Sequence, residues 1–348
     1  MKTFILSFLL FITTACYSQK EFFCSKQVFT ADNMERFYSS ISIHDSIVLF
    51  YANDYHLYAY NKNDGSLKWS YATNYKSSIP PFVAHDIVYA GIYRNEKEQA
   101  VQLELVSGKL IKTLPFAPLA TKPFIKNGIL YSTAIYDFGC IIAYDMSKDT
   151  VIWSRFIAHG YSRRPYYFDN KILANSESSN WVELGYDGGL LDTNCKKKAE
   201  MYVTNIPCIK TFAAVSHDGK EIKGKMASTI FGKEFPSEPE MLLTEKFTYV
   251  FDGTRLSILS GKLKIKQQVD IPSLAADLAN DYNAKLVKAD NENIWLLYSD
   301  HLLRYNHPTK KLDIIANLAK WNPRQLVMDD KNIWLVSGKD GLLYGFSL

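Results

Sequence analysis

Pro81-Phe82-Val83-Ala84-His85-Asp86-Ile87-Val88-Tyr89 returns 42 residues later as Pro123-Phe124-Ile125-Lys126-Asn127-Gly128-Ile129-Leu130-Tyr131, and 42 residues after that as Pro165-Tyr166-Tyr167-Phe168-Asp169-Asn170-Lys171-Ile172-Leu173. Each copy is a short apolar run, a two-residue polar turn and a second apolar run, which spells strand, tight turn, return strand. Pro207 continues the period, again 42 residues on. A strand-rich unit repeating every 40–45 residues has the spacing of one blade of a β-propeller.

The other half of the repeat is clearest in Leu57-Tyr58-Ala59-Tyr60-Asn61-Lys62-Asn63-Asp64-Gly65-Ser66-Leu67-Lys68-Trp69. Alternating apolar residues turn one strand face inward, Asp64-Gly65 supplies the positive φ of a tight turn, and Leu67-Lys68-Trp69 begins the return. Residues 141–153 repeat the pattern, with Ala143 and Trp153 separated by the same interval as Ala59 and Trp69. Weaker copies surround Ser107-Gly108, Asp187-Gly188, Ser260-Gly261 and Thr309-Lys310. Opening strands without proline fill the remaining places. Asn293-Ile294-Trp295-Leu296 and Asn332-Ile333-Trp334-Leu335 copy each other, residues 43–49 precede the first repeat, and residues 242–250 supply one more. Starts then fall near 41, 81, 123, 165, 207, 241, 284 and 323, which predicts an all-β ring of eight four-stranded antiparallel blades, with seven as the alternative count. The fifth is the least defined, because the start after it comes early.

The chain ends on Leu342-Leu343-Tyr344-Gly345-Phe346-Ser347-Leu348, a match for the strand at 57–61 with nothing left for its return partner. Residues 21–29 form a spare apolar-rich strand at the opposite end. The expectation is that they complete the last blade and close the ring, removing open sheet edges. Between blades, Leu274, Leu278 and Tyr282 follow Pro272-Ser273 at helical spacing and predict a short surface helix.

An apolar content of 47% with 22% charged residues suits one globular domain over residues 20–348. Met1-Lys2, an apolar run over residues 4–12 and then small residues have the layout of a secretory signal, expected over residues 1–18. Two processing routes fit: cleavage after Ser18, or lipidation of Cys16 in Thr13-Thr14-Ala15-Cys16. The mature protein is accordingly expected in the periplasm or outside the cell, or as an outer-membrane lipoprotein. No later run reaches about 18 apolar residues, so only a lipid would hold it to a membrane. The net charge of +4 and the isolated Lys196-Lys197-Lys198 give no nucleic-acid footprint. In an oxidising compartment Cys195 and Cys208 are the candidate disulfide pair, being closest in sequence among the four cysteines beyond Cys16.

The alanine, the polar residue two positions later, the turn glycine and the outer-strand tryptophan, present as Ala59, Asn61, Gly65 and Trp69, resemble the pyrroloquinoline-quinone-like propeller repeat. Ala143, Asp145 and Trp153 resemble it again, with Asp149 where glycine is usual. The resemblance implies that Trp69 and Trp153 pack between blades and give their indole N–H to a neighbouring carbonyl. One branch of that family consists of quinone-dependent dehydrogenases, whose site requires a stacking platform, a calcium ion and an aspartate base. Those residues cannot be assembled here; connections are short and no cysteines are adjacent. The other branch is non-catalytic and includes the lipoprotein scaffold of the outer-membrane β-barrel assembly machinery, which this chain resembles in its short loops and export signal.

Other chemistry finds no motif. The seven histidines form neither HExxH nor an HxH pair, and there is no GxSxG elbow or phosphate loop. No cofactor or metal is expected. Connections between blades emerge on one side of a propeller, so they form a rim. Its richest stretches are Tyr161, Arg163, Arg164 and Tyr166 in one connection and Trp321 with Arg324 in another, residue types favoured at interface hot spots. The sequence therefore predicts an exported, non-catalytic scaffold binding another envelope or secreted protein. A carbohydrate-binding propeller is the alternative, and a dehydrogenase the more distant one.

Overall fold

Strands such as Ile47–Tyr51 and Asn332–Ser337 are apolar at nearly every position, and they are buried along their whole length. Sheets built on them have two apolar faces and must be sandwiched between neighbours. A ring of sheets satisfies that requirement without leaving a bare end.

The computed structural model describes residues 20–25, 39–75, 77, 79–117, 123–136, 138–156, 165–167, 171–175, 181–192, 227–230, 233–235, 240–251, 253–260, 265–279 and 284–348. Among them are seven four-stranded antiparallel sheets, each joined in simple up-and-down order. We number them by the eight expected repeats: blade 1 spans residues 40–72, blade 2 82–113, blade 3 124–156, blade 4 166–192, blade 6 240–270, blade 7 285–317 and blade 8 323–347. The start expected near 207 lies outside the described residues. The antiparallel pair Ala227–Ile230 and Lys233–Phe235 falls between blades 4 and 6.

Blade 8 takes its fourth strand from the other end of the chain. Lys20–Cys24 pairs with Leu343–Ser347, Lys20 opposite Ser347 and Cys24 opposite Tyr344. The Ser25 N–H extends the ladder to the Leu343 carbonyl at 2.9 Å. The fourth strand of every complete blade carries a register shift against the third, for instance at Ala59/Tyr60 and Ala143/Tyr144. Lys20–Cys24 has its own at Glu21/Phe23. Such bulges raise local twist, which fans the blades around an axis.

Core clusters bridge successive blades rather than sit within them. They join blades 6 and 7, 7 and 8, 8 and 1, 1 and 2, 2 and 3, and 3 and 4. The first strands of blades 6, 7, 8 and 1 approach one another in turn, which makes them innermost. Fourth strands such as Leu67–Ala72 and Leu110–Thr113 are largely exposed and form the outer wall. The helix expected over 271–282 is one turn, Ile271–Leu274, capped by Asp270 accepting from the Ser273 N–H. The chain turns at Ala275 and brings Leu278 onto the blade 6–7 core, while Leu274 stays exposed. Tyr282 lies outside the described residues.

Candidate functional site

Strands alternate direction, so the turn between second and third strands and the connection to the next blade share one face of the ring. On that face blade 8 carries Trp321 in its incoming connection and Arg324 at the start of its first strand. Trp321 is half-buried, edge-on to Phe346 with ring centres 4.6 Å apart and 6.0 Å from Tyr344. Arg324 is exposed and lies across Gly338, where an added Cβ would stand 2.7 Å from its Nε. The Gly338 N–H donates to the carbonyls of Trp321 (3.1 Å) and Asn322 (2.9 Å), locking the connection onto the turn. Tyr161, Arg163 and Arg164 lie outside the described residues. Tyr166 begins the innermost strand of blade 4, its backbone paired with Leu173.

The repeat residues occupy the seams. Trp69 donates its indole N–H to the Leu105 carbonyl of blade 2 at 2.9 Å, and Trp153 to the Tyr186 carbonyl of blade 4 at 3.1 Å. Each indole covers a glycine in the next blade's outer turn. A Cβ on Gly108 would stand 2.5 Å from Trp69, and one on Gly188 2.7 Å from Trp153. Ala59 and Ala143, fully buried, sit directly opposite the two tryptophans, leaving room for the rings. Gly65, at φ +72°, receives Phe23 from the closing strand in the same manner. Asp145 Oδ1 accepts from the Ser147 N–H (2.9 Å), the Ser147 hydroxyl (2.7 Å) and the Lys148 N–H (3.0 Å). The Ser147 hydroxyl above all, with these amides, holds its carboxyl at about 2.

Two contacts that sequence reasoning missed belong to the same scheme. Lys112 occupies in blade 2 the place of Trp69, four residues after the turn glycine, and its ammonium is 2.6 Å from Asp149 of blade 3. Asp149, at φ +55°, stands where the turns of blades 1, 2 and 4 have Gly65, Gly108 and Gly188, and it also accepts from the Tyr144 hydroxyl. The signal was the repeat offset itself, compared between neighbouring blades. Gln325 is the other: its Oε1 accepts from the Ile41 N–H at 3.1 Å, tying blade 8 to blade 1 at the inner edge.

Elsewhere, a cleft between blades 1 and 2, lined by Tyr51, Tyr75, Pro80, Pro81, Phe82 and Tyr89, encloses about 20 Å³, room for a water molecule. Its Tyr51 hydroxyl donates to the Gly91 carbonyl (3.3 Å) and accepts from the Gly91 N–H (2.7 Å). Burial pushes that phenol well up. Among the described residues no group of three or more His, Cys, Asp or Glu side chains is placed to hold a metal ion. Among the described residues Cys24 and Cys140 form no disulfide, and burial raises the pKa of Cys24. Cys16, Cys195 and Cys208 lie outside the described residues. No helix among the described residues is long and apolar enough to cross a membrane.

No protein-family model matches the chain, and no curated protein matches it. Among solved structures it is similar to the crystal structure of BamB from Moraxella catarrhalis, with 13% identity, coverage of 88% of this chain and 69% of that one, and a TM-score of 0.39. It is also similar to the computationally designed Ika8 protein, with 13% identity, coverage of 89% and 83%, and a TM-score of 0.48.

Proposed function

We propose that this propeller is an exported, non-catalytic scaffold that binds a partner protein of the cell envelope on the face where its blade connections emerge. The observation that carries this reading is the ledge at blade 8. Trp321, on the connection into blade 8, is packed edge-on to Phe346, that connection is bonded to its neighbouring turn through the Gly338 N–H, and exposed Arg324 follows as the second residue of the strand. Large planar side chains held in place lose little entropy on contact, which is why such pairs dominate interface energies. Arg163 and Arg164 lie outside the described residues; their place in the sequence between blades 3 and 4 makes them the further candidates of this reading.

Tagged mature protein should retain one stoichiometric partner from an extract of its own cell envelope. The pairs Arg163→Ala/Arg164→Ala and Trp321→Ala/Arg324→Ala should each reduce that retention about tenfold at unchanged melting temperature. Retention of no protein, or retention by both pairs unchanged from the parent protein, would remove the reading, and glycan binding would then be assayed first. Export is tested by mass spectrometry of the mature N-terminus, which distinguishes cleavage after Ser18 from a lipid on Cys16.

A further inference from the structure

Asn127-Gly128 is the one Asn-Gly pair in the chain, and it forms the turn between the first strand of blade 3, Phe124–Lys126, and the second, Ile129–Tyr136. Lys126 pairs with Ile129 across it, and φ is +53° at Asn127 and +75° at Gly128, the doubly left-handed turn that Asn-Gly favours. Both residues are exposed, and a Cβ built on Gly128 would meet no atom within 4 Å. Neither the Asn127 side-chain amide nor the Gly128 N–H has a hydrogen-bond partner among the described residues. The Asp-Gly turns differ. Gly65, Gly188 and Gly341 donate their N–H to the carbonyls of Asn61 (2.9 Å), Gly185 (3.0 Å) and Ser337 (2.9 Å). The carboxylates before them are occupied too: Asp64 accepts from the Ser66 N–H (2.8 Å), Asp187 from that of Gly189 (2.9 Å) and Asp340 from that of Leu342 (3.0 Å).

We propose that Asn127 is a site of spontaneous deamidation in the folded protein. The Gly128 nitrogen attacks Asn127 Cγ, a new C–N bond forms, and the bond from Cγ to the side-chain nitrogen breaks. That nitrogen leaves as ammonia, carrying the proton given up by the Gly128 N–H. The five-membered imide then takes up one water and opens at either carbonyl, to aspartate or to isoaspartate. Glycine matters because any side chain there would crowd the attacking nitrogen. Asn95-Glu96 supplies the comparison within the molecule: an exposed turn of blade 2 with φ +51° at Asn95 and +60° at Glu96, but with a side chain beside that nitrogen. The turn at Asn127 must open to reach the imide. The first strand it joins has only three residues, so little pairing is given up.

The product disturbs a joint. Isoaspartate routes the backbone through the side-chain carbon, adding an atom between Lys126 and Ile129 and upsetting their pairing. The Lys126 ammonium lies 4.3 Å from the centre of the Tyr186 ring of blade 4, so the effect reaches the blade 3–4 seam. Turns between first and second strands lie on the face opposite the blade connections. Modification should therefore lower stability and leave the proposed partner face unaltered.

The test incubates the folded mature protein and maps its peptides by mass spectrometry, with fragmentation that separates asparagine, aspartate and isoaspartate. Conversion should be at least about tenfold faster at Asn127 than at Asn95. It should be faster at about pH 8 than at about pH 6, because base removes the proton of the attacking nitrogen. Gly128→Asn, which keeps a residue tolerant of left-handed φ, should slow conversion of Asn127 at least about tenfold. The isoaspartate fraction should melt a few degrees below the unmodified protein. Equal rates at Asn127 and Asn95, or an unchanged rate in Gly128→Asn, would overturn the proposal. So would conversion of Asn127 in urea but not in the folded protein, which would mean that the paired turn holds the two groups apart.

Discussion

Two buried tryptophans show how differently one residue type is used. Trp69 fills a seam and satisfies its N–H on Leu105, whereas Trp334 is fully buried against Phe22 and Phe23 with its indole N–H meeting no acceptor among the described residues. Trp69→Ala opens a cavity over Gly108 and should cost about 3–5 kcal/mol in urea unfolding. Trp69→Phe keeps most of the area but leaves the Leu105 carbonyl unpaired, costing about 1–3 kcal/mol for that group. Trp334→Phe loses similar volume yet removes an unsatisfied donor, so it should cost measurably less than Trp69→Phe. The reverse order would mean that Trp334 has an acceptor, such as an ordered water. Sequence spacing pointed to Trp69 and Trp153 as seam residues. Which N–H finds a carbonyl depends on the next blade's turn, which local sequence does not contain.

At the scale of the blade, the outer turn and the fourth strand work as a pair across the seam. Trp69 covers Gly108 and Trp153 covers Gly188, but between blades 2 and 3 the pair is Lys112 and Asp149. An indole needs the bare glycine beneath it, whereas an ammonium needs the carboxylate. Lys112→Trp alone should therefore be destabilising, because the indole would sit over Asp149, and adding Asp149→Gly should recover most of the loss. A double-mutant cycle should show coupling of at least about 1 kcal/mol, and additivity within about 0.3 kcal/mol would mean that the two positions do not constitute one joint. The ion pair itself is partly exposed and contributes little on its own, about 0.2–1 kcal/mol. Asp149 was visible in the sequence as a departure from the repeat. Its partner was not, because Lys112 lies 37 residues earlier in a different blade.

For the whole molecule, closure and charge set the stability. Phe23 packs on Tyr60 and Trp334 and covers Gly65, so one side chain of the closing strand touches both blades that meet there. Phe23→Ala should cost about 3 kcal/mol and lower the melting temperature of the entire ring in a single transition. Unchanged stability would mean that Lys20–Cys24 is not what holds blades 8 and 1. Asp145, Asp149, Asp313 and Asp329 all have carboxyls below the ordinary range. For the first three, side-chain hydrogen bonds are the main cause; at Asp329 burial opposes the shift and hydrogen bonds from Lys331, Lys62 and Asn332 overcome it. Groups depressed in the folded state contribute stability that is complete above the unfolded carboxylate pKa of about 4 and is lost as pH falls toward about 2. Burial, aided by nearby carboxylates, pushes Tyr60, Tyr89 and Tyr249 up to about 12, so their contribution holds below about 10 and fades as pH climbs toward 12. Melting temperature against pH should be flat from about 5 to 9 and fall on both sides, and a rise on acidification from 4 to 2 would contradict this account. The sequence by itself determined the period, the turns and the spare strand, and with them seven of the blade starts and the closure of the ring, because those signals are local and repeat. Only the tertiary structure decided the seam partners, because these are contacts between blades, set by how the sheets stack around the axis rather than by any run of neighbouring residues.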